Sequence, residues 1–284
     1  MTQNLWKKLF IVSTVLLLIS VILGACLWHQ LNEAKIGLDS TTTQLDASKL
    51  EIDSLKDKQD RLLSGYANLT KQIRLRLGTG QDCQFFVTPD DPLISAKVQE
   101  ITGGYSEEEL WKDYGRLFRW IIRNIQYSTD SPIPLLPESI NGTLEWGQDF
   151  WRLPAETIRD QAGDCEDMAV LLVSMLLNYN QRRFPVWIVG VKTSVPTPKA
   201  HLAVAIPSEN NQLTIFDVAA HYYTPFQTIG GFGSQEIPLA IEHWLNHLEE
   251  ELSGAQIYIV FSENSYHELS GTEEFIDWVN ELFD

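Results

Sequence analysis

The sequence predicts an α+β fold for the C-terminal two-thirds of the chain, from one apolar helix and one pair of alternating strands. Residues 168–177 are almost entirely apolar, which is typical of a buried helix. Residues 201–207 and 213–218 alternate as strands do, and the turn-forming run Ser-Glu-Asn-Asn at 208–211 separates them. We therefore expect a helix followed by an antiparallel hairpin.

The start of this helix carries a candidate nucleophile. Gly163-Asp164 indicates a turn and a helix cap, and Asp167 is placed to complete an arrangement like a capping box. Cys165 is then the first helical residue, where free N–H groups and the helix dipole favour a thiolate. The alternative is that Cys165 is a small buried hydrophobic residue.

Two further residues complete a possible catalytic set. His201 lies early in the first strand of the hairpin and Asp217 lies late in the second, so antiparallel pairing brings them to the same end. Cys165, His201 and Asp217 then supply a nucleophile, a base and a group that orients the base. Taken singly, the histidine is also compatible with an ordinary strand position and the aspartate with a turn.

Together with an upstream motif, these residues resemble the transglutaminase-like cysteine peptidase superfamily, closest to its membrane-anchored periplasmic and archaeal members. The resemblance covers roughly residues 110–225. Its pattern is Asp-x-Trp-x-x-Pro-x-Glu-Thr, then Gly-Asp-Cys-Glu-Asp, then His and Asp on successive strands. Here it reads Asp149, Trp151, Pro154, Glu156 and Thr157, then residues 163–167, His201 and Asp217. One departure is Ala200-His201-Leu202-Ala203, where an aromatic residue followed by valine is commoner.

The resemblance implies a papain-like arrangement and a thiol enzyme with a protein or peptide substrate. Cys165 would attack an amide carbonyl, and water as acceptor gives a peptidase or amidase, whereas an amine acceptor gives cross-linking. Trp151 is a candidate wall of the substrate groove, with core packing as the alternative. A non-catalytic, membrane-anchored binding module is the rival from another class, although it would not need all three catalytic residues.

The chemistry requires no cofactor, but calcium is a candidate ligand. Asp164, Glu166 and Asp167 crowd carboxylates around a thiol that must become an anion, which raises the thiol pKa. Ca²⁺ bound by Asp164 and Glu166 would neutralise this cluster, and calcium use by relatives with the same Asp-Cys-Glu string supports the idea. In the alternative, Asp164 only caps the helix while Glu166 and Asp167 face solvent.

Charge is distributed unevenly along the chain. The sequence has 284 residues, and its net charge of −17 combines +3 in residues 1–80 with −20 in residues 81–284. An acidic globular part argues against nucleic acid as a partner and for basic or cation-bridged substrates. A solvated acidic surface that maintains solubility explains the charge equally well.

The N-terminus predicts a membrane anchor. Residues 9–28 are uncharged and match the ~20 residues that cross a bilayer. Lys7 and Lys8 precede them, which by the positive-inside rule places residues 1–8 in the cytoplasm and the rest outside. A cleaved signal peptide is the alternative, and Leu23-Gly24-Ala25-Cys26 also resembles a lipoprotein cleavage site with Cys26 as the lipid anchor.

Residues 29–77 predict a helical stalk, because a heptad runs through them with mostly apolar a positions such as Leu31, Ile52 and Ile73. A single amphipathic helix leaves its seam uncovered, so we expect a homodimer or another membrane protein as partner, with a solvated spacer as the alternative. Gly78-Thr79-Gly80 ends the stalk, and residues 81–284 form the transglutaminase-like domain.

Within that domain the pattern predicts helices at about 106–126, 237–252 and 272–283 and a strand at 256–261. The segment 81–145 begins irregularly, with Pro89-Asp90-Asp91-Pro92, before the first of these helices. Three cysteines are too few for a disulfide framework, and Cys83 is expected to be either a free thiol or an interchain bridge.

Overall fold

The structure is a computed structural model that describes residues 2–139, 141–194, 198–225 and 232–282. Its helices are α1 (Thr2–Leu75), α2 (Pro92–Thr102), α3 (Leu110–Asn124), α4 (Pro154–Asp160), α5 (Cys165–Asn180), α6 (Ile237–Leu248) and α7 (Thr272–Glu281), with a 3-10 helix at Gly80–Phe86. Its strands are β1 (Gln126–Tyr127), β2 (Ile133–Leu135), β3 (Glu145–Gly147), β4 (Ala162–Gly163), β5 (Trp187–Lys192), β6 (Ala200–Ser208), β7 (Gln212–Asp217), β8 (Tyr222–Tyr223), β9 (Gln235–Glu236), β10 (Gln256–Phe261) and β11 (Tyr266–Glu268).

The chain divides into two units, residues 1–68 and 69–284. The first is helical throughout its described part and belongs to α1, which includes the predicted membrane segment at 9–28. Among the described residues, α1 is the helix long and apolar enough to cross a membrane. Its heptad leucines, such as Leu31, Leu45 and Leu62, are exposed in the single chain. The helix is confirmed, and its pairing with a second helix stays a prediction.

The second unit is built on an antiparallel sheet, so the predicted α+β fold is confirmed. In the described residues its strand order is β11-β10-β5-β6-β7-β8, with β9 also paired to β7. The predicted hairpin is the pair β6 and β7, with Val204 opposite Phe216 and Ser208 opposite Gln212. Because the strands are antiparallel, His201 and Asp217 lie toward the same end of the sheet.

Side chains alternate between the two faces of the sheet and give the unit three layers. Leu202, Val204 and Ile206 share one hydrophobic cluster with the apolar residues of α5. Ala203 and Ala205 belong instead to a second cluster with the buried residues of α6 and α7. The sheet is therefore covered by α5 on one face and by α6 and α7 on the other.

The predicted element boundaries differ from the observed ones in three places. The helix expected at 106–126 begins only at Leu110, and that expected at 237–252 ends at Leu248 in a turn. The region described from sequence as irregular contains α2. The Asp91 carboxylate caps α2 by accepting a 2.7 Å hydrogen bond from the Leu93 N–H, with Pro92 at its first position. Phe283, the predicted end of the last helix, lies outside the described residues.

Candidate active site

Cys165 lies at the first residue of α5, as predicted, and its side chain is half-buried. The thiol donates a hydrogen bond to Oε2 of Glu166 over 3.3 Å. Burial, followed by the charge of Glu166, raises the thiol pKa well above its ordinary value, although a hydrogen bond with the backbone of Leu202 opposes that rise. In this arrangement the sulfur is held as a thiol.

His201 and Asp217 form a direct pair at the end of the hairpin. Nε2 of His201 lies 2.7 Å from Oδ2 of Asp217, which has no solvent exposure. The same carboxylate accepts the backbone N–H of Ala220 at Oδ1 over 2.9 Å and the indole N–H of Trp244 at Oδ2 over 2.8 Å. Since Asp217 engages Nε2, Nδ1 of His201 is the nitrogen left to accept a proton.

The structure brings two of the three predicted catalytic residues into direct contact and the third beside them. The Sγ atom of Cys165 interacts with the backbone of Leu202, the residue that follows His201. Among the described residues, no hydrogen bond joins this sulfur to the His201 ring. The thiol must therefore leave Glu166 before it can give its proton to the imidazole.

A cavity of about 460 Å³ opens beside His201. Its other lining residues are Tyr127, Ala219, Ala220, His221, His247, Leu248, Glu250 and Glu251. Burial raises the pKa of Tyr127 to about 12, with a smaller contribution from Cys165. A space of this size next to a base can accept a substrate side chain.

A second cavity, of about 430 Å³, adjoins Asp149, Trp151 and Tyr258. Burial raises the pKa of Tyr258 to about 12, again with a contribution from Cys165.

Trp151 packs in the core and also borders a cavity. Its ring is 7% exposed and packs in the core at 5.5 Å from the Phe86 ring and 6.0 Å from the Phe261 ring, measured between centroids. It also lines the second cavity. Its use as a substrate contact stays a prediction.

Four carboxylates gather next to Cys165. Asp130, Asp149, Asp164 and Glu166 each place an oxygen within 4.8 Å of the others. Burial raises the pKa of Glu166 to about 11, with further contributions from Asp149 and Asp164, and burial also raises the pKa of Asp164. The structure thus adds Asp130 and Asp149 to the predicted pair of ligands.

Asp149 and Asp130 differ in whether the sequence marks them as possible members of the cluster. Asp149 is the first residue of the motif that contains Trp151, although no ligand role was predicted for it there. Asp130 is far from Cys165 in sequence and follows β1, which pairs in parallel with β4 through Tyr127 opposite Gly163. This two-residue pairing sets the Asp130 carboxylate beside Asp164, and no local sequence signal marks it.

The alternative prediction was that Asp164 only caps the helix while Glu166 and Asp167 face solvent. It is wrong, because all three side chains are buried. Asp164 makes no side-chain cap to α5. Asp167 forms no capping box and instead accepts the backbone N–H of Arg152 over 2.7 Å and pairs with its guanidinium. Burial raises the pKa of Asp167 to about 7 despite this pairing.

The cluster fits a hard cation. Asp164 Oδ1 and Glu166 Oε1 are buried and have no hydrogen-bond partner among the described residues, which is costly for a polar atom unless something compensates it. The four side chains offer only oxygen atoms, which is the ligand type that calcium and magnesium prefer. Asp130 already has one positive neighbour, since Nη1 of Arg152 lies 3.0 Å from its Oδ1.

Comparison with known proteins gives one family and several solved structures. Residues 96–232 match the family model described as a transglutaminase-like domain. EGTA-treated LapG of Legionella pneumophila is 14% identical over 78% of this chain and 97% of its own, with a TM-score of 0.35. Calcium-bound LapG is 15% identical over 67% and 99%, with a TM-score of 0.30. A candidate cysteine protease of Cytophaga hutchinsonii is 14% identical over 64% and 50%, with a TM-score of 0.31. No curated protein sequence matches the chain.

Proposed function

Since residues 96–232 are a transglutaminase-like domain, we propose that this protein is a membrane-tethered thiol enzyme that hydrolyses amide or peptide bonds. The observation that carries the proposal is the contact between His201 and the buried Asp217, 2.7 Å apart, beside the helix-borne thiol of Cys165. All three residues fall inside the matched stretch. A nucleophile, a base and an orienting carboxylate on a helix and two neighbouring strands are the parts that acyl transfer needs.

In the proposed reaction, Nδ1 of His201 accepts the Cys165 proton and the sulfur attacks the substrate carbonyl carbon. Asp217 keeps a proton on Nε2 and supports the positive ring. The backbone N–H of Cys165, at the first residue of α5, would stabilise the oxyanion. Collapse of the tetrahedral intermediate breaks the C–N bond, and the imidazolium returns its proton to the leaving amine. Water then cleaves the thioester with His201 as base and regenerates the thiol.

A protein or peptide is the proposed substrate, because the cavity beside His201 has room for a substrate side chain. Water is the proposed acceptor. An amine acceptor would use the same acyl-enzyme, so adding a primary amine to the assay measures how the intermediate partitions.

We also propose that α1 anchors the protein in a membrane with the enzyme on the outer side. The support is the apolar helix with Lys7 and Lys8 before it. Protease added to intact cells, or to spheroplasts, should digest residues 81–284. If residues 81–284 were digested only after lysis, the opposite orientation in the membrane would be correct.

Calcium is the proposed ligand of Asp130, Asp149, Asp164 and Glu166, and the support is their convergence with two uncompensated buried oxygens. When bound, it would supply the positive charge that these carboxylates lack. Glu166 also accepts the hydrogen bond of the Cys165 thiol. If Glu166 bound calcium instead, the thiol would be released to give its proton to His201.

The test of the enzymatic proposal uses the full-length protein in detergent with p-nitrophenyl acetate as acyl donor, at pH 7–8 with calcium present. Wild-type protein should release nitrophenolate in a burst, and Cys165→Ala should remove the burst while the protein stays folded. Cys83→Ser is the matched control and should keep it. A burst that survives in Cys165→Ala would refute the assignment of this cysteine as nucleophile.

A further inference from the structure

We propose that Trp244 is a positioning residue that holds Asp217, and through it His201, in the orientation needed for catalysis. This inference rests on the proposed function. The indole N–H of Trp244 donates to Oδ2 of Asp217 over 2.8 Å, and Nε2 of His201 lies 2.7 Å from the same oxygen. Trp244 and Asp217 are both without solvent exposure.

The three donors fix the carboxylate of Asp217 at both of its oxygens. The Ala220 N–H occupies Oδ1, while Trp244 and His201 share Oδ2. A carboxylate held only by His201 could rotate about its Cβ–Cγ bond. With donors on both oxygens, its plane is set, and so is the direction from which Oδ2 meets Nε2 of His201.

The helix that carries Trp244 is fastened to the same corner of the sheet at a second point. Nε2 of His247 lies 3.1 Å from the carbonyl oxygen of Ala220, and the His247 ring lies 5.1 Å from the Tyr222 ring. Thus α6 contacts Asp217 directly and also contacts the turn whose N–H binds Asp217. The orienting residue of the catalytic pair is therefore held from the layer opposite Cys165.

Trp244 lies beyond the residues that match the family model, which end at 232. Its neighbours on α6, Ala240, Ile241 and Leu248, are buried apolar residues that pack in the cluster on this face of the sheet. Burial would explain a large apolar ring there. The polar N–H aimed at a buried carboxylate explains why the ring is an indole, because a buried indole N–H needs an acceptor.

The experiment compares Trp244→Phe with wild type in the full-length protein in detergent, with p-nitrophenyl acetate as probe. We expect kcat to fall on the order of 10-fold while KM stays within about 2-fold, because ring position changes and ester binding does not. In ¹⁵N-histidine-labelled protein, the hydrogen-bonded ring N–H proton of His201, assigned by its loss in His201→Gln, should broaden or shift.

Two further variants separate positioning from packing. Trp187→Phe is the matched control, since Trp187 is also a buried tryptophan on this face, with its ring centroid 4.7 Å from that of Trp278. Among the described residues, the hydrogen bonds to Asp217 come from His201, Ala220 and Trp244. Trp187→Phe should keep wild-type kcat. Site-specific 3-benzothienylalanine at position 244 keeps the ring shape and replaces the N–H by sulfur. It should reproduce the loss in kcat even if Trp244→Phe fails to fold.

A benzothienylalanine variant with wild-type kcat and an unchanged His201 N–H signal would overturn the inference. So would an equal loss in Trp187→Phe. If wild-type protein shows no Cys165-dependent turnover, the proposed function fails. The His201 N–H signal then decides by itself whether Trp244 orients the pair.

Discussion

Two groups of buried carboxylates flank the candidate active site, and they differ in how their charge is compensated. Asp217 has no solvent exposure, yet it receives hydrogen bonds from a backbone N–H and an indole N–H and pairs with an imidazole. Asp164 and Glu166 are buried as well, but in the described part of the chain each has one oxygen with no hydrogen-bond partner, and their nearest ionisable neighbours include further carboxylates.

The difference shows which part of the site the chain completes by itself. A buried charge is tolerated when it is paired and hydrogen-bonded, and it is costly otherwise. The Asp217 group meets that condition with protein atoms alone. The cluster at Asp164 and Glu166 meets it only if protons or a cation enter.

Removing the charge of Asp217 should have the largest effect. Asp217→Asn replaces a carboxylate by an amide, which can no longer support a positive imidazole or accept from all three donors. We expect kcat for p-nitrophenyl acetate to fall on the order of 10³–10⁴-fold, as in other triads that lose this group. Asp277→Asn, on the exposed side of α7, should leave kcat unchanged. Equal rates in the two variants would remove Asp217 from the mechanism.

Adding calcium should compensate the second group. A ligand at about 100 times its dissociation constant stabilises a protein by about 2.7 kcal/mol, which corresponds to a rise in Tm of about 5–10 °C for a unit of this size. We expect such a rise on replacing EGTA by calcium for wild type and its loss in Glu166→Gln. Glu145→Gln, whose carboxylate is exposed and outside the cluster, should respond like wild type. A calcium response that survives in Glu166→Gln would refute the site.

Glu156 is a further carboxylate that sharpens the comparison, because an arginine compensates its charge. Both oxygens accept hydrogen bonds from the Arg76 guanidinium, at 2.5 and 2.9 Å, and one also accepts the Leu153 N–H over 2.7 Å. Burial raises the pKa of Glu156, but these contacts outweigh it and the net shift is downward. The ionised form therefore stabilises the fold above the unfolded-state pKa, and that stability is lost as pH falls through the lower folded-state pKa.

Glu156→Gln should lower the free energy of unfolding by about 1–3 kcal/mol at pH 7. The gap from wild type should close as pH falls below about 4, near the ordinary glutamate pKa. Denaturant titrations at pH 7, 5 and 3.5 measure this. A gap that stays constant over that range would mean that the ion pair is not its source.

The smallest effect is expected at Cys83. Its side chain is 1% exposed in the core, and burial raises its pKa to about 12. Iodoacetamide should leave Cys83 unmodified in native protein, as read by mass spectrometry, and label it after unfolding. Rapid native labelling, or a covalent dimer through Cys83, would show that the core opens there.

Features formed by neighbouring residues were predictable from sequence, and features that depend on distant contacts were not. The hairpin of β6 and β7 and the start of α5 follow from alternation and from Gly163-Asp164, so His201 and Asp217 could be paired in advance. The contribution of Trp244 could not, because it requires knowledge of where α6 packs. Asp130 was missed because its place beside Asp164 depends on the pairing of β1 with β4.

The helix α2 was missed although its signals were present. Asp91 caps it, Pro92 opens it, and Gly103 ends it with a φ of 82°. Two prolines within four residues favoured an irregular interpretation over that pattern. The local signals at both ends of α2 were therefore sufficient to predict this helix.

The end of α1 has a mechanical consequence for the site. The backbone of Arg76 accepts the Trp151 N–H over 2.8 Å, and its guanidinium donates to the Trp151 carbonyl oxygen over 3.1 Å. Trp151 is two residues from Asp149 and adjacent to Arg152, which pairs with Asp130. A displacement of Arg76 would therefore be transmitted to the segment that carries Asp149 and Arg152, so the residue that follows α1 and the carboxylate cluster depend on the same few hydrogen bonds.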